Sequence, residues 1–412
     1  MTAPIAPRNA DDVLEAVRWA AAAEQALDVV GGSSKVALGR PVAAEHRIEL
    51  ASLSGILLYE PEELVLTARA GTPLAEVERA LAARNQLLAF EPPDLGALLG
   101  PANGTAAAVG GTLGGAIACN LAGPRRIRSG AARDHLLGFQ AVSGRGEAFK
   151  SGGRVIKNVT GFDLSKLVTG SFGTLAVMTE VTVRALPAPE QTRTVLLFGR
   201  ADDVAVRAMT EALQGPWDVS AAVHLPAGVA GRSALPAVAD AAAAVTAIRI
   251  EGPGPSVEFR AAALRDALAA KEPAGELEAA ESCAFWREVC DVRYFEGDRD
   301  RPVWRLSVPP AEGARVAATV LGSASGEVFY DWGGGLVWLA LAPSADAEHE
   351  TVRRAVAAIG GHATLIRAAA AVRASVPVFQ PQTPALAALT RRIKDGFDPK
   401  RVLNPGRMYE GV

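Results

Sequence analysis

The residues of this chain with the most chemical promise are mostly small ones. From Gly110 to Asp134 the sequence reads GGTLGGAIACNLAGPRRIRSGAARD. Gly110, Gly111, Gly114 and Gly115 carry no Cβ, so the backbone there can take strained dihedrals and lie close against a ligand, as the floor under a large flat cofactor must. Thr112, Ala116 and Asn120 share the stretch. Arg125, Arg126, Arg128 and Arg133 follow, and their guanidiniums could clamp a carboxylate, balance a diphosphate or meet another subunit. His135 stands beside them, either as a base for a hydroxyl proton or as an ordinary packed, hydrogen-bonded residue. A second small-residue turn, Gly31-Gly32-Ser33-Ser34-Lys35, offers successive N–H groups, two hydroxyls and an ammonium. That is the material of an anion-binding nest for a pyrophosphate, and equally of a plain tight turn.

Several other chemistries are excluded by residue type and spacing. Neither G-x-G-x-x-G nor G-x-x-x-x-G-K-[ST] occurs, which removes the usual dinucleotide and P-loop fingerprints. Cys119, Cys283 and Cys290 form no disulfide framework and no Cys-x-x-Cys pair for zinc or an iron–sulfur cluster, and they read as reduced thiols of a cytosolic protein. His224, His349 and His362 lack ligand-like spacing, so no metal site is expected. With 42 Lys+Arg against 45 Asp+Glu, the chain has no basic field for nucleic acid or an anionic membrane. Residues 95–124 contain no charge, yet glycines, Pro101, Pro124, Asn103 and Asn120 interrupt them too often for a membrane span. They read as the uncharged wall of a cleft. The segment MTAPIAPRNADDV has neither the basic flank nor the apolar run of a signal peptide.

Elements must hold these loops in place, and 412 residues are enough for two or three domains. Asn9 caps a helix reaching towards Leu27, with Val13, Val17 and Ala20 on one face. A strand at Leu27–Val30 leads into the GGSSK turn. Further strands are expected near Arg47–Leu50 and Glu63–Ala70, with Thr72 capping a helix that has Pro73 in its first turn. HLLGFQAVSGRGEAFKSGG reads as a hairpin, Asp163–Val168 as a helical turn, Gly170-Ser171-Phe172-Gly173 as a third glycine turn, and Leu175–Leu186 as a long strand. From Gln191 to about Arg367 strands and helices follow a β-α-β-β-α-β order, which predicts one antiparallel sheet with helices on one side. The tail combines a helix with the Pro-punctuated loop DPKRVLNPGR, too specific in composition for a frayed end.

In combination, GGSSK, the GG-x-x-GG-x-x-x-x-N stretch with its G-x-x-RD, NVTGFDLSKLVTGSFGTLAVMTEVTV and DPKRVLNPGRMY resemble the FAD-binding fold of the vanillyl-alcohol oxidase and PCMH family. Within it, GPRRIRSGAARD, VIKNVTGFDLSKL and FDPKRVLNPGRMY look most like the FAD-binding subunits of bacterial glycolate oxidases. The resemblance implies an α+β protein: a PCMH-type two-subdomain FAD-binding domain at 1–187 (subdomains about 1–75 and 76–187), and an antiparallel α+β cap of ferredoxin-like, split βαβ topology at 188–375. A C-terminal segment, 376–412, would return to the FAD domain. It places Gly31, Gly32, Ser33, Ser34 and Lys35 at the pyrophosphate, and Gly110, Gly111, Thr112, Gly114, Gly115, Ala116 and Asn120 along flavin and diphosphate. Gly130, Asp134, Gly161, Gly170 and Val177 match positions along the cofactor, and Asn404 would sit beside the ring.

Family members that tether their flavin carry a His in the pyrophosphate loop. Ser34 stands there, which implies non-covalent FAD. Related 2-hydroxyacid dehydrogenases carry a His-rich metal motif absent from this chain, so catalytic residues stay unassigned. Two functions are open. One is an accessory flavoprotein subunit supporting oxidation of glycolate to glyoxylate, partnered by a catalytic FAD subunit and an iron–sulfur subunit, cytoplasmic or held at the inner membrane through them. The other is a self-sufficient FAD-dependent 2-hydroxyacid (D-lactate or glycolate) dehydrogenase.

Overall fold

The computed structural model describes residues 3–100, 110–154, 162–269 and 273–412, and Gly161 of the expected cofactor set lies outside them. Contacts divide the chain into two units. The first comprises Met1–Ala122, Gly130–Ala188 and Pro377–Val412; the second comprises Gly123–Ser129 and Pro189–Val376. The segment carrying Arg125, Arg126 and Arg128 therefore belongs with the later part of the chain.

In the first unit, Asn9 caps the helix Ala10–Ala23 by accepting the Asp12 N–H at 2.9 Å. Its buried face, Val13, Val17 and Ala20, packs on a small parallel pair, β1 (Leu27–Val30) and β2 (His46–Glu49). Each large side chain so buried contributes on the order of 1.5–3 kcal/mol. Strand β3 (Ile56–Glu60) starts the larger sheet, followed by β4 (Val65–Arg69). The short β5 (Gln86–Leu87) pairs with β9 (Leu186–Pro187) outside it. Between them come β6 (Leu136–Ser143), β7 (Ala148–Gly152) and β8 (Ala176–Arg184), giving an antiparallel sheet of order β3-β4-β8-β6-β7. This sheet draws strands from both sides of residue 75. The helices Leu74–Ala82 and Leu113–Cys119 supply apolar side chains to the core against it.

Thr72 does not cap the helix that follows it. Its Oγ1 donates to the Arg69 carbonyl at 2.7 Å and accepts the Gly55 N–H at 2.9 Å, and Pro73 occupies the cap position without a side-chain bond. The Leu74 N–H is satisfied instead by the Gly111 carbonyl at 2.8 Å. This swap ties the glycine stretch to the sheet.

The second unit holds one eight-stranded sheet of order β13-β10-β12-β11-β15-β16-β14-β17. Its strands are β10 (Gln191–Phe198), β11 (Val219–Leu225), β12 (Val245–Gly252), β13 (Ala274–Glu278), β14 (Val303–Ser307), β15 (Gly326–Asp331), β16 (Leu336–Leu341) and β17 (His362–Arg367). Strands β10 to β13, with the helices Asp202–Gln214 and Gly254–Ala269, form one split βαβ module of order 4-1-3-2. Strands β14 to β17, with Gly313–Leu321 and His349–Ala357, form a second, and β11 meets β15 edge to edge through His224 and Tyr330. Strand β13 is the element the sequence hides. AGELE is short, charged and at a sheet edge, where little side-chain burial is required.

Helices are not confined to one side. Arg193 and Thr194 are adjacent on β10 and must point to opposite faces. Arg193 reaches Glu258 of the Gly254–Ala269 helix at 3.6 Å, while Thr194 accepts the Trp286 Nε1–H at 2.8 Å. The helix Ala279–Cys290, which carries Trp286, thus lies on the face opposite the others.

Candidate functional site

A cleft opens in the first unit where β1 ends. Val29 and Val30 lead into its rim, and Gly31, Gly32, Ser33, Ser34 and Lys35 curl over it. Ser33 holds φ at 60°, the left-handed region that a non-glycine residue enters at a cost, and such strain clusters at ligand-binding turns. Lys35 is only 8% exposed. Among the described residues its ammonium donates only to Ser34 Oγ, at 3.2 Å, leaving donors for an anion. Burial pushes the Lys35 pKa down, against the opposing charges of Cys119 and Asp94.

The paired glycines divide their labour. A Cβ on Gly111 would come within 3.1 Å of Lys35 Nζ, and one on Gly115 would press on Thr112 Oγ1 at 3.0 Å with Lys35 Cε at 3.7 Å. Both positions leave room for the lysine. Gly114 serves the scaffold: a Cβ there would sit 2.7 Å from the Ala70 carbonyl oxygen, which accepts the Gly114 N–H at 2.9 Å. Thr112 caps the Leu113–Cys119 helix by accepting the Gly115 N–H at 3.2 Å and lines the cleft with Gly114 and Gly115. Val177 lines it from β8.

The remaining expected residues lie elsewhere. Gly110 is exposed, Gly111 is buried behind Lys35, and Ala116 is fully buried in the core. Asn120, Gly130, Asp134 and Gly170 gather at the far end of the Leu113–Cys119 helix. Asn120 Oδ1 accepts the Arg133 N–H at 3.2 Å, and Asp134 accepts the Ala131 N–H at 2.9 Å. Gly170 N–H donates to the Ile117 carbonyl at 3.2 Å. Asn404 is 1% exposed: its Oδ1 accepts the Val29 N–H at 2.7 Å and its Nδ2 donates to the Phe172 carbonyl at 2.8 Å. It fastens the tail to the cleft's backbone.

Arg407 belongs to the cleft without having been singled out in the sequence, although it lies inside the terminal motif. Its Nη2 donates to the Lys35 and Leu38 carbonyls, each at 3.2 Å, and its Nη1 stands 3.5 Å from Asp28. Cys119 also lines the cleft, where burial pushes its thiol pKa up despite Lys35 and Arg407.

The arginine segment has partners in the second unit. Arg125 forks onto Glu251, with Nε and Nη2 at 3.0 and 2.7 Å from its two oxygens. Burial would raise the Glu251 carboxyl, but Arg249 and the Arg125 fork outweigh it and hold the pKa at about 2. Arg125 is thereby engaged with a carboxylate of its own chain. Arg128 pairs with Asp218 at the surface at 2.6 Å, and Arg126 stacks over the Trp332 ring at 4.3 Å. In the first unit, Arg133 donates to the Thr169 carbonyl at 3.2 Å, and His135, 3% exposed, packs tilted against Phe90 at 5.5 Å. His224 is a satisfied core residue between Thr246 and Asp202. Among the described residues no cluster of His, Cys, Asp and Glu could hold a metal, and no helix is long and apolar enough to cross a membrane.

Comparison with known proteins gives a family for this geometry. The FAD binding domain family matches residues 2–152. Glycolate oxidase subunit GlcE of Escherichia coli (strain K12) is 34% identical over 397 residues, 96% of each chain. Glycolate oxidase subunit GlcD of Bacillus subtilis (strain 168) is 30% identical over 228 residues, 55% of this chain and 44% of that one. The solved structure of 4-ethylphenol oxidase from Gulosibacter chungangensis superposes with a TM-score of 0.70 at 14% identity, over 98% of this chain and 88% of that one, a likeness of fold.

Proposed function

Because the chain belongs to the family of the glycolate oxidase subunit GlcE, an FAD-linked oxidoreductase family acting on 2-hydroxy acids, we propose that it is the FAD-binding subunit of a glycolate oxidase complex. In that role it supports oxidation of glycolate to glyoxylate. Its partners are a catalytic FAD subunit and an iron–sulfur subunit, and it works in the cytoplasm or at the inner membrane through them. The observation that carries the cofactor's place is Lys35: a nearly buried ammonium with spare donors, set among residues that keep side-chain bulk away from it.

The residues present fit an FAD diphosphate. The N–H groups of the Gly31–Lys35 turn and the Lys35 ammonium supply charge-assisted donors, Thr112 supplies a hydroxyl, and Arg407 braces the turn from behind. Bound there, the flavin supplies an electron acceptor able to pass electrons onward. FAD is held without a covalent bond. Among the described lining residues none is a histidine, and the raised Cys119 pKa keeps that thiol protonated and weakly nucleophilic.

The test is to purify the chain alone, load FAD, add glycolate or D-lactate anaerobically and follow the flavin absorbance. An accessory subunit binds FAD and leaves it oxidised over catalytic times, and bleaches it only with its partners. Rapid bleaching by the lone chain would establish the alternative, a self-sufficient 2-hydroxyacid dehydrogenase.

A further inference from the structure

The helix Pro384–Phe397 departs from the packing of the rest of the chain. Every other described helix of nine residues or more buries at least three apolar side chains. This one, 14 residues long, buries Lys394 alone. Leu386 and Leu389 each stand 48% exposed, and the half-buried Ile393 follows them at helical spacing, so the three form one stripe. A single exposed leucine is ordinary, but a stripe of them on a helix that buries no apolar side chain is not. The helix is fastened near its ends: Thr383 Oγ1 accepts the Leu386 N–H at 3.4 Å, and Gln382 Nε2 donates to Thr390 Oγ1 at 2.9 Å. In its last turn Lys394 donates to the Thr174 and Leu403 carbonyls, and Phe397 lies tilted against Phe149 at 5.8 Å. A lone helix of about 12–15 residues is marginal in water, and an apolar face laid on a neighbour usually stabilises it. Here the leucine face is turned to solvent.

The charge beside the stripe says what would cover it. Arg391 and Arg392 are exposed, and among the described residues neither has an ion pair or a side-chain hydrogen bond. Arg392 follows Leu389 by three residues and so borders the stripe. The other exposed charge of the helix, Asp395, is held by Arg401 at 2.6 Å. The surface is therefore apolar with a positive border. A second copy of the chain, laid helix to helix, would bring the same arginines against it and no free carboxylate, and like charges so placed oppose pairing.

We propose that the stripe of Leu386, Leu389 and Ile393 is a docking face for a partner subunit, which receives the helix in an apolar groove rimmed by carboxylates. This deepens the proposed function and rests on it for the existence of the partner. The mode is a helix laid in a groove: the leucines are the anchors, and arginines against carboxylates set orientation and speed of encounter. None of these residues lines the cofactor cleft, so docking and flavin binding are separable in measurement.

The test combines the FAD-loaded chain with the purified catalytic flavoprotein and iron–sulfur subunits of glycolate oxidase and follows assembly by sedimentation velocity. The double variant Leu386→Gln, Leu389→Gln keeps helix-forming residues at both positions and should assemble at least tenfold more weakly than the wild type. Arg391→Glu with Arg392→Glu should also weaken assembly. Added salt should weaken the wild-type complex and leave the charge-reversed one no weaker. FAD content and circular dichroism of both double variants should match the wild type, because the changed side chains are exposed and lie outside the cleft. The proposal falls if the wild-type complex forms and the glutamine variant joins it equally well, or if charge reversal strengthens assembly. It falls too if the chain alone is a dimer at micromolar concentration that the glutamine substitutions dissolve, which would make a second copy the occupant. Failure of the wild type to assemble with these subunits would overturn the proposed complex itself, and this face with it.

Discussion

A single buried ammonium organises the cleft, and its removal should be felt more by the ligand than by the fold. Lys35→Met should weaken FAD binding at least tenfold, about 1.4 kcal/mol, with little change in circular dichroism. Flavin fluorescence titration measures it. Because burial lowers the Lys35 pKa, the charge that attracts a diphosphate is lost as pH rises towards that value. FAD affinity of the wild type should therefore fall at alkaline pH, and the alkaline fall should be missing in Lys35→Met. Gly115→Val should also expel FAD, since its Cβ would press on Thr112 and its branches would enter the lysine's space. A Gly115→Val protein isolated with normal flavin content would show the cleft to be placed wrongly. The sequence makes these positions conspicuous because the GGSSK turn and the GG-x-x-GG stretch each concentrate residues with little side-chain bulk. Arg407 was harder to see, since an arginine among other arginines gives no hint of which carbonyls it will reach. The Arg125–Glu251 fork was invisible, its two ends being 126 residues apart.

Elements are held by polar ties as much as by their apolar faces. On the helix Pro384–Phe397, Lys394 is completely buried and donates to the Thr174 carbonyl, the Leu403 carbonyl and Asp398 Oδ2 at 2.7, 3.0 and 2.7 Å. Asp398 in turn accepts the Val402 and Leu403 N–H groups at 3.0 and 2.9 Å. Lys394→Met should destabilise the first unit by roughly 3–5 kcal/mol, because it strands a buried carboxylate and two carbonyls; urea unfolding followed by circular dichroism tests it. In the sequence RRIKDGFD this lysine looks like one more surface charge, and nothing in its spacing marks it as interior. The alternation of strands and helices in residues 191–367 was legible because the helices bury one face at helical spacing and the buried strands are short apolar runs between turns. Strand β13 was not, and neither was the helix crossing to the other face, since an amphipathic pattern says that a face is covered but not which side of a sheet covers it.

At the scale of the whole molecule, two units of different construction should report separately. Differential scanning calorimetry with FAD at about 100 times its dissociation constant should raise one transition by the equivalent of roughly 2.7 kcal/mol and leave the other in place. A common shift of both would contradict a cofactor cleft confined to the first unit. The second unit has its own signature in acid. Glu251 is held at about 2 against an ordinary 4.5, so the stability it contributes is full above about 4.5 and is lost as pH falls towards about 2. Glu251→Gln should unfold at lower urea than the wild type at pH 7, by about 3 kcal/mol, with the gap narrowing by pH 3. The closing of the first unit has a temporal side. Strand β1 is flanked by Leu403, with the Leu27 N–H donated to the Val402 carbonyl at 2.7 Å, and Asn404 grips Val29 from 375 residues downstream. A ribosome makes one edge of this small ladder long before the other, since Val29 and Asn404 are 375 residues apart. Nascent chains released short of Asn404 should emerge with the flavin's cradle unfinished, so acquisition of colour during synthesis marks the arrival of the Leu403–Asn404 segment at β1.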